Sequence, residues 1–405
     1  MARMRMMDLF CGTGGFSKGF ENTGAFRVEY GIDVLPVAVE TFRRNHRRAV
    51  AVASDIREVR LGAVREKTGL FPGEVDVIVG GPPCQGFSSI RPFRSSKEDD
   101  PRNSLFEEFA GYVNYFRPQV FVMENVVGLA THKDGSAIDQ IQHCFDNLGY
   151  VSDWRIMNAA HFGVPQIRER LIMIGARDGV RVQFPLPTHA GEFRTIGFRD
   201  RSRQLLPPST GPEPTLFEST SSELPEAISV MDAIGDLPPV EAGGWVKEYD
   251  QPPQEGYQTD RRRKVKSLEL HIATGHTERM LEIIRHAGSN ISSIPKHLIS
   301  SGFSSSYSRL APDKPSATIT VNFVHPASNK CIHPFQDRAL TLREGARLQS
   351  FDDDFLFAGA RTQIAKQIGN AVPPLLGQSI AEGVLKMISG SPQSTANQIP
   401  VGNHL

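Results

Sequence analysis

The first 177 residues alternate apolar, β-branched runs with amphipathic ones, and this order of elements constrains the fold more than any other feature of the chain. "RMMDLF" (5–10) reads as a strand and "GGFSKGFENTG" (14–24) as a glycine turn entering a helix. "FRVEYGID", "AVAVASDI", "VDVIVGG" and "PQVFVMENV" read as four further strands. Between them lie the helical patterns "LPVAVETFRRNH" and "RNSLFEEFAGYVNYF". A helix at about 136–148 follows, then "VSDWRIMNA" and "RERLIMIGAR" as antiparallel edge strands. Strands separated by helical crossovers predict an α/β, doubly wound, Rossmann-like sheet.

Around Pro185 the pattern breaks. Residues 186–335 hold many of the 28 prolines and few long apolar runs, which predicts a smaller, irregular second domain. Helical patterning returns in "TLREGARLQSF" and "GNAVPPLLGQSIAEGVLKMI". The expected division is a first domain over 1–185, a second over 186–335, a helical segment over 336–390 and a disordered tail over 391–405.

Composition narrows the class. Apolar content is 39% and charged content 22%, ordinary for a globular chain, and no apolar run approaches membrane-helix length. With no signal-peptide pattern and only four cysteines (Cys11, Cys84, Cys144, Cys331), the expectation is a reducing, cytoplasmic setting with no disulfide framework. No cysteine or histidine spacing supports a metal site. The net charge of zero argues mildly against a nucleic-acid partner. Binding of that kind must then rest on local basic patches, for which "FRTIGFRDRSR" (193–203) and "RRRKVK" (261–266) are the candidates, each equally readable as a solvated loop.

The strand ends carry the chemistry. "DLFCGTGGFS" (8–17) sets glycines 12, 14 and 15 between a strand and a helix, where bare backbone admits a ligand. A dinucleotide fingerprint would need a third glycine at position 17, which is Ser17, so a pyrophosphate is disfavoured and with it a nicotinamide oxidoreductase. Asp33 closes the second strand and suits a ribose diol, while Asp55 after the third can accept from an adenine amino group. Cys84 follows Gly80-Gly81-Pro82-Pro83 beyond the fourth strand, where open α/β sheets bind ligands; a packed core cysteine is the plainer alternative. Glu124 ends the fifth strand, and Arg168 and Arg170 share one face of a strand by its period of two. A nucleophile, an acid, anion-binding arginines and a nucleoside turn are thus gathered at one sheet edge.

In these residues the chain resembles the S-adenosylmethionine-dependent DNA (cytosine-5)-methyltransferases. Six blocks match the family in order: "DLFCGTGGFS", "GGPPCQGFS", "RNSLF", "ENV", "QIRER" and "QIGNAVPP", with "LTLREGARLQSF" ahead of the last. The resemblance implies methyl transfer to carbon 5 of a cytosine flipped out of duplex DNA, leaving S-adenosylhomocysteine. It implies Cys84 as the nucleophile at carbon 6, Glu124 as the acid at N3, and Arg170 at the carbonyl oxygen with Arg168 in support. The donor would meet Phe10, Thr13, Gly15, Asp33, Val34, Asp55, Ile56, Pro83, Leu105, Asn370, Ala371 and Val372. Val34 is a departure, since relatives often carry a bulkier adenine-stacking side chain there. Gln85 would face DNA, as would Ser88 and Arg91 of a polar closing flap, 86–103. A monomeric, prokaryotic, nucleoid-associated enzyme with a cognate restriction endonuclease is the implied setting. Enzymes of this class acting on transfer RNA carry Cys-Phe-Thr late in the chain; here Cys331 precedes Ile332 and His333, which favours DNA. A non-catalytic module of the same fold is the remaining alternative, and the intact set of reactive residues counts against it.

Overall fold

The computed structural model describes residues 3–83, 104–131, 135–193, 200–207, 224–263, 265–299 and 302–390. Eight strands form one sheet: β1 (Met4–Leu9), β2 (Phe26–Asp33), β3 (Val50–Ala53), β4 (Val77–Gly80), β5 (Val120–Asn125), β6 (Val151–Asn158), β7 (Glu169–Ala176) and β8 (Gln204–Leu205). Their spatial order is β3-β2-β1-β4-β5-β7-β6-β8. The first five are parallel, and β7 runs antiparallel to both β5 and β6. The sequence pattern places β7 at an edge, but it lies inside the sheet, and β8 forms that edge instead. β5 covers one side of β7 and β6 the other, and six of its eight residues are buried.

The helices of this half are α1 (Gly15–Asn22), α2 (Pro36–Asn45), α3 (Leu61–Thr68), α4 (Ser104–Phe116), α5 (Gly128–Thr131) and α6 (Ser136–Asn147). The pleat of the sheet sorts the apolar side chains into two layers. Met7, Ile78 and Phe121 face one core with Val64 of α3, Phe109 of α4 and Phe145 of α6. Met6, Val79 and Val122 face the other with Phe20, Leu376 and Ile380. The chain winds outward from β1 to β3 and then crosses back to β4, so a crevice opens at the carboxyl ends of β1 and β4.

The second half contributes α7 (Val230–Ile234), α8 (Gly256–Arg262), α9 (Glu278–Arg285), α10 (Leu342–Leu348), α11 (Arg361–Asn370) and α12 (Pro374–Ser389), with a two-stranded pair of β9 (Ser308–Arg309) and β10 (Lys330–Ile332). α12 returns to the sheet and packs on α1 so closely that a side chain at Gly19 would meet the Pro374 carbonyl oxygen at 2.4 Å. α10 and α11 share an apolar cluster with Val230, Leu268, Ile319 and Phe323. This cluster is threaded by ion pairs. Arg347 meets Asp236 at 2.9 Å and Asp353 at 2.7 Å, and Arg338 grips both oxygens of Glu344 at 2.8 Å.

The arginines of "RRRKVK" belong to the same joint. Arg261 and Arg263 pair with Asp352 at 2.7 and 2.9 Å, and Arg262 lies over the Tyr249 ring. Arg261 is thus committed inside the molecule, while Arg263 shares the same carboxylate and keeps 43% of its side chain exposed, so only part of this basic run is internal. In the other patch, Arg203 pairs with Asp153 and lies over Trp154, while 194–199 fall outside the described residues. No helix among the described residues is long and apolar enough to cross a membrane.

Candidate active site

The glycine turn after β1 is shaped by its neighbours. Phe10 and Gly12 take left-handed backbone (φ 59° and 49°), which redirects the chain sharply at the strand end. Asp33, at the end of β2, accepts from the Gly12 amide at 3.0 Å and from the Leu35 amide at 2.9 Å, so it fastens the turn to the neighbouring strand. Burial pushes its carboxyl up, opposed by those amides. His46 supports the turn from behind, with Nε2 3.1 Å from the Gly14 carbonyl oxygen and Nδ1 2.8 Å from the Glu21 carboxylate.

Ser17, which breaks the dinucleotide fingerprint, has a positive role in the fold. Its hydroxyl donates to Asp8 Oδ2 at 2.6 Å, giving a partner to a carboxylate buried at the end of β1. Burial still raises the Asp8 carboxyl to about 7, with Ser17 opposing and Asp33 adding. The sequence signal for this pair is the spacing of an acid and a serine across the turn, but nothing in that spacing says that the acid points inward.

Asp55 caps a short 3-10 turn, Ile56–Glu58, accepting from the Arg57 amide at 3.0 Å. The Arg57 guanidinium at 2.5 Å holds its carboxyl below the ordinary value. Val34 and Leu35 are exposed beside these residues.

At the other end of the crevice β4 runs out in Gly80-Gly81, and Glu124 stands at the end of β5. A side chain at Gly81 would lie 2.9 Å from Glu124 Oε2, so glycine is what leaves space for the carboxylate. Arg170, on β7, donates from Nε to Glu124 Oε1 at 2.7 Å. Both side chains keep 16% of their surface exposed. Arg168, two residues earlier, is 2% exposed, and its guanidinium reaches the carbonyls of Ile319 (3.3 Å) and Gly369 (3.1 Å) rather than Glu124.

The wall opposite the glycine turn comes from the far end of the chain. A side chain at Gly15 would meet the Val372 carbonyl oxygen at 2.5 Å, which brings Asn370–Val372 directly against the turn.

These elements enclose a cavity of about 830 Å³. Phe10, Thr13, Gly15, Asp33, Val34, Asp55 and Ile56 line it from β1–β3. Pro83 and Leu105 line it on the side of Glu124, Arg168 and Arg170, and Asn370, Ala371 and Val372 close it. Cys84, Gln85, Ser88 and Arg91, with most of the expected flap, lie outside the described residues. Pro83, the neighbour of Cys84, lines the cavity together with Glu124 and Arg170. The Thr13 hydroxyl is buried with no partner among the described residues, a polar group on the cavity wall left for a ligand. Among the described residues no group of histidine, cysteine and acidic side chains is placed to hold a metal.

A family model for C-5 cytosine-specific DNA methylase matches residues 4–386. The chain belongs to that family. Type II methyltransferase M.AgeI of Thalassovita gelatinovora is 33% identical, over 95% of this chain and 100% of its own length. Type II methyltransferase M1.HphI of Haemophilus parahaemolyticus is 37% identical, over 94% of this chain and 86% of its own. In fold, the chain superposes on a candidate DNA modification methyltransferase encoded within an E. coli prophage, with a TM-score of 0.71, 24% identity, and 95% and 99% of the two chains covered. The activity of this family member is methylation of carbon 5 of cytosine in DNA.

Proposed function

We propose that the glycine-turn end of the cavity binds S-adenosylmethionine and that Cys84 adds to carbon 6 of a cytosine flipped out of duplex DNA. One observation carries the reading: the Glu124–Arg170 pair opens into the same cavity as the glycine turn, beside the residue that precedes Cys84. N3 and the carbonyl at position 2 are neighbours on a pyrimidine ring, and Glu124 and Arg170 are neighbours here. Glu124 would hold a proton at N3 while Arg170 donates to the carbonyl oxygen. Both then oppose the charge that builds on the ring as the thiolate adds. The donor supplies an electrophilic methyl group to the nucleophilic carbon 5 that this addition creates. Loss of the carbon 5 proton then expels the thiolate and restores Cys84.

At the donor end, Asp33 suits the ribose hydroxyls and Asp55 with Ile56 the adenine, with Phe10, Thr13, Gly15, Val34, Pro83, Leu105 and Asn370–Val372 completing the contact surface. Arg168 acts as a positioning residue, since its guanidinium is committed to backbone carbonyls. Residues 186–335 carry target recognition in this reading, and Gln85, Ser88 and Arg91 face DNA. A cognate restriction endonuclease and a monomeric enzyme working in the bacterial cytoplasm fit the type II relatives.

The test is a duplex carrying 5-fluorocytosine at the target, whose carbon 5 substituent cannot leave as a proton. Incubation with S-adenosylmethionine should trap a covalent adduct stable to denaturing electrophoresis. Cys84→Ala should give no adduct and retain donor affinity within about twofold, because the thiol meets the base and not the donor. An adduct formed by Cys84→Ala would overturn the assignment.

A further inference from the structure

The last carbonyls of α11 have no intrahelical partners, as at any helix end. Here they face the cavity wall at Asn370–Val372, and side chains from elsewhere in the molecule add to the one backbone cap, from the Ala371 amide to the Ile368 carbonyl at 3.3 Å. Gln349, just past α10 and fully buried, donates from Nε2 to the Ile368 carbonyl at 2.6 Å and the Ala371 carbonyl at 3.4 Å. Its Oε1 accepts from Gln166 Nε2 at 2.8 Å. Gln166, also fully buried, donates to the Leu348 carbonyl at 3.1 Å and accepts from the Ile319 amide at 2.9 Å. The backbone closes up around this pair as well: a side chain at Gly369 would lie 2.5 Å from the Thr320 carbonyl carbon.

Two amides are the chemistry this position requires. Gln349 must accept on one side and donate twice on the other, which neither a carboxylate nor an apolar side chain of that length can do. We propose that Gln349 and Gln166 are positioning residues for the methyl donor, fixing the turn 370–372 against Gly15. Gln349 holds it through the Ile368 carbonyl of α11 and the Ala371 carbonyl of the turn, Gln166 holds Gln349, and neither touches the donor or the base. The inference rests on the reading of this cavity as the donor site.

The experiment compares Gln349→Met and Gln349→Glu with the unsubstituted protein by calorimetric titration with S-adenosylmethionine and by steady-state kinetics on DNA. Losing these hydrogen bonds should raise the donor Kd and KM about tenfold, while kcat at saturating donor and the KM for DNA stay within about threefold. Val230→Ala, a truncation in the same apolar cluster at a residue that does not line the cavity, serves as the control for general loosening and should leave the donor Kd unchanged. A donor Kd within twofold of the unsubstituted value in Gln349→Met would overturn the inference, as would an equal weakening in Val230→Ala. Should Gln349→Met not fold, Gln349→Asn keeps the amide but cannot span Gln166 and Ile368 together, and it is read by the same criterion. If the unsubstituted protein itself fails to bind the donor, the reading of the cavity falls and not merely the role of Gln349.

Discussion

Asp8 in the sheet and Glu344 of α10, in the joint, are both buried carboxylates, yet their acidities move in opposite directions. Burial opposes ionisation at each. At Glu344 the two hydrogen bonds from Arg338 override it and hold the carboxyl well below the usual carboxylate range. At Asp8 the only side-chain partner among the described residues is the neutral Ser17 hydroxyl, and the carboxyl rises to about 7. Asp352 lies between them: although it pairs with Arg261 and Arg263, burial still leaves it above its ordinary value. Among the described residues the sheet half therefore buries mainly hydrocarbon and leaves Asp8 with no cation beside it. The joint buries charge and depends on each arginine staying in place. An apolar layer accepts sliding and swapping of similar volumes, whereas paired guanidinium and carboxylate groups accept one geometry. The joint is where residues of the second region meet α10, so a single geometry there fixes how that region sits beside the cavity.

The largest effect expected from breaking this contrast is at Arg347. Arg347→Leu removes the nearest cation of two buried carboxylates, leaving Asp236 only Arg262 at 3.8 Å and Asp353 only Arg343 at 3.4 Å, and should cost about 3–5 kcal/mol in denaturant unfolding. Ile174→Val in the sheet, an equally buried site, should cost only about 0.5–1.5 kcal/mol. Equal losses at the two positions would erase the distinction between the halves.

Asp8 gives the next largest effect and sharpens the contrast through pH. Its folded-state carboxyl binds a proton more tightly than the unfolded one, so its contribution is fully present below about pH 4 and is lost as pH rises through about 7. Asp8→Asn removes the charge and keeps an acceptor for Ser17. It should raise stability at pH 8 by up to about 4 kcal/mol, with the two proteins converging below pH 4. Thermal melts across that range read the difference directly, and a gap that widens toward acid would show the sign to be wrong.

The smallest effect belongs to Arg263, whose side chain is 43% exposed. Arg263→Gln should cost less than about 1 kcal/mol. It should also leave the salt dependence of DNA binding unchanged, because its charge is directed at Asp352 and not at phosphate. A shallower salt slope in this variant would restore the sequence reading of "RRRKVK" as a nucleic-acid patch.

Much of the candidate site is legible in the sequence, because its residues are tied to strand ends. Asp33, Asp55 and Glu124 each follow an apolar strand, and parallel strands must deliver their carboxyl ends to one edge of the sheet. The turn 370–372 is legible by resemblance alone, since nothing local in "QIGNAVPP" says that it faces Gly15. β7 reads as an edge strand but is interior, because strand order depends on which neighbours cover a strand, and its own sequence does not name them.

Sequence by itself determined the fold class, through the alternation of periods, and the chemical inventory of the cavity, through which residue types end which strands. Tertiary structure alone decided what each charge is for. Arg168, Arg170 and Arg261 are indistinguishable as letters. One is taken up by the carbonyls of Ile319 and Gly369, one faces Glu124, and one is buried against Asp352. The reason is physical: local periodicity fixes the face on which a side chain emerges, but the energy of a charge depends on the groups and solvent around it. For Arg168 those groups include a carbonyl 201 residues further along the chain.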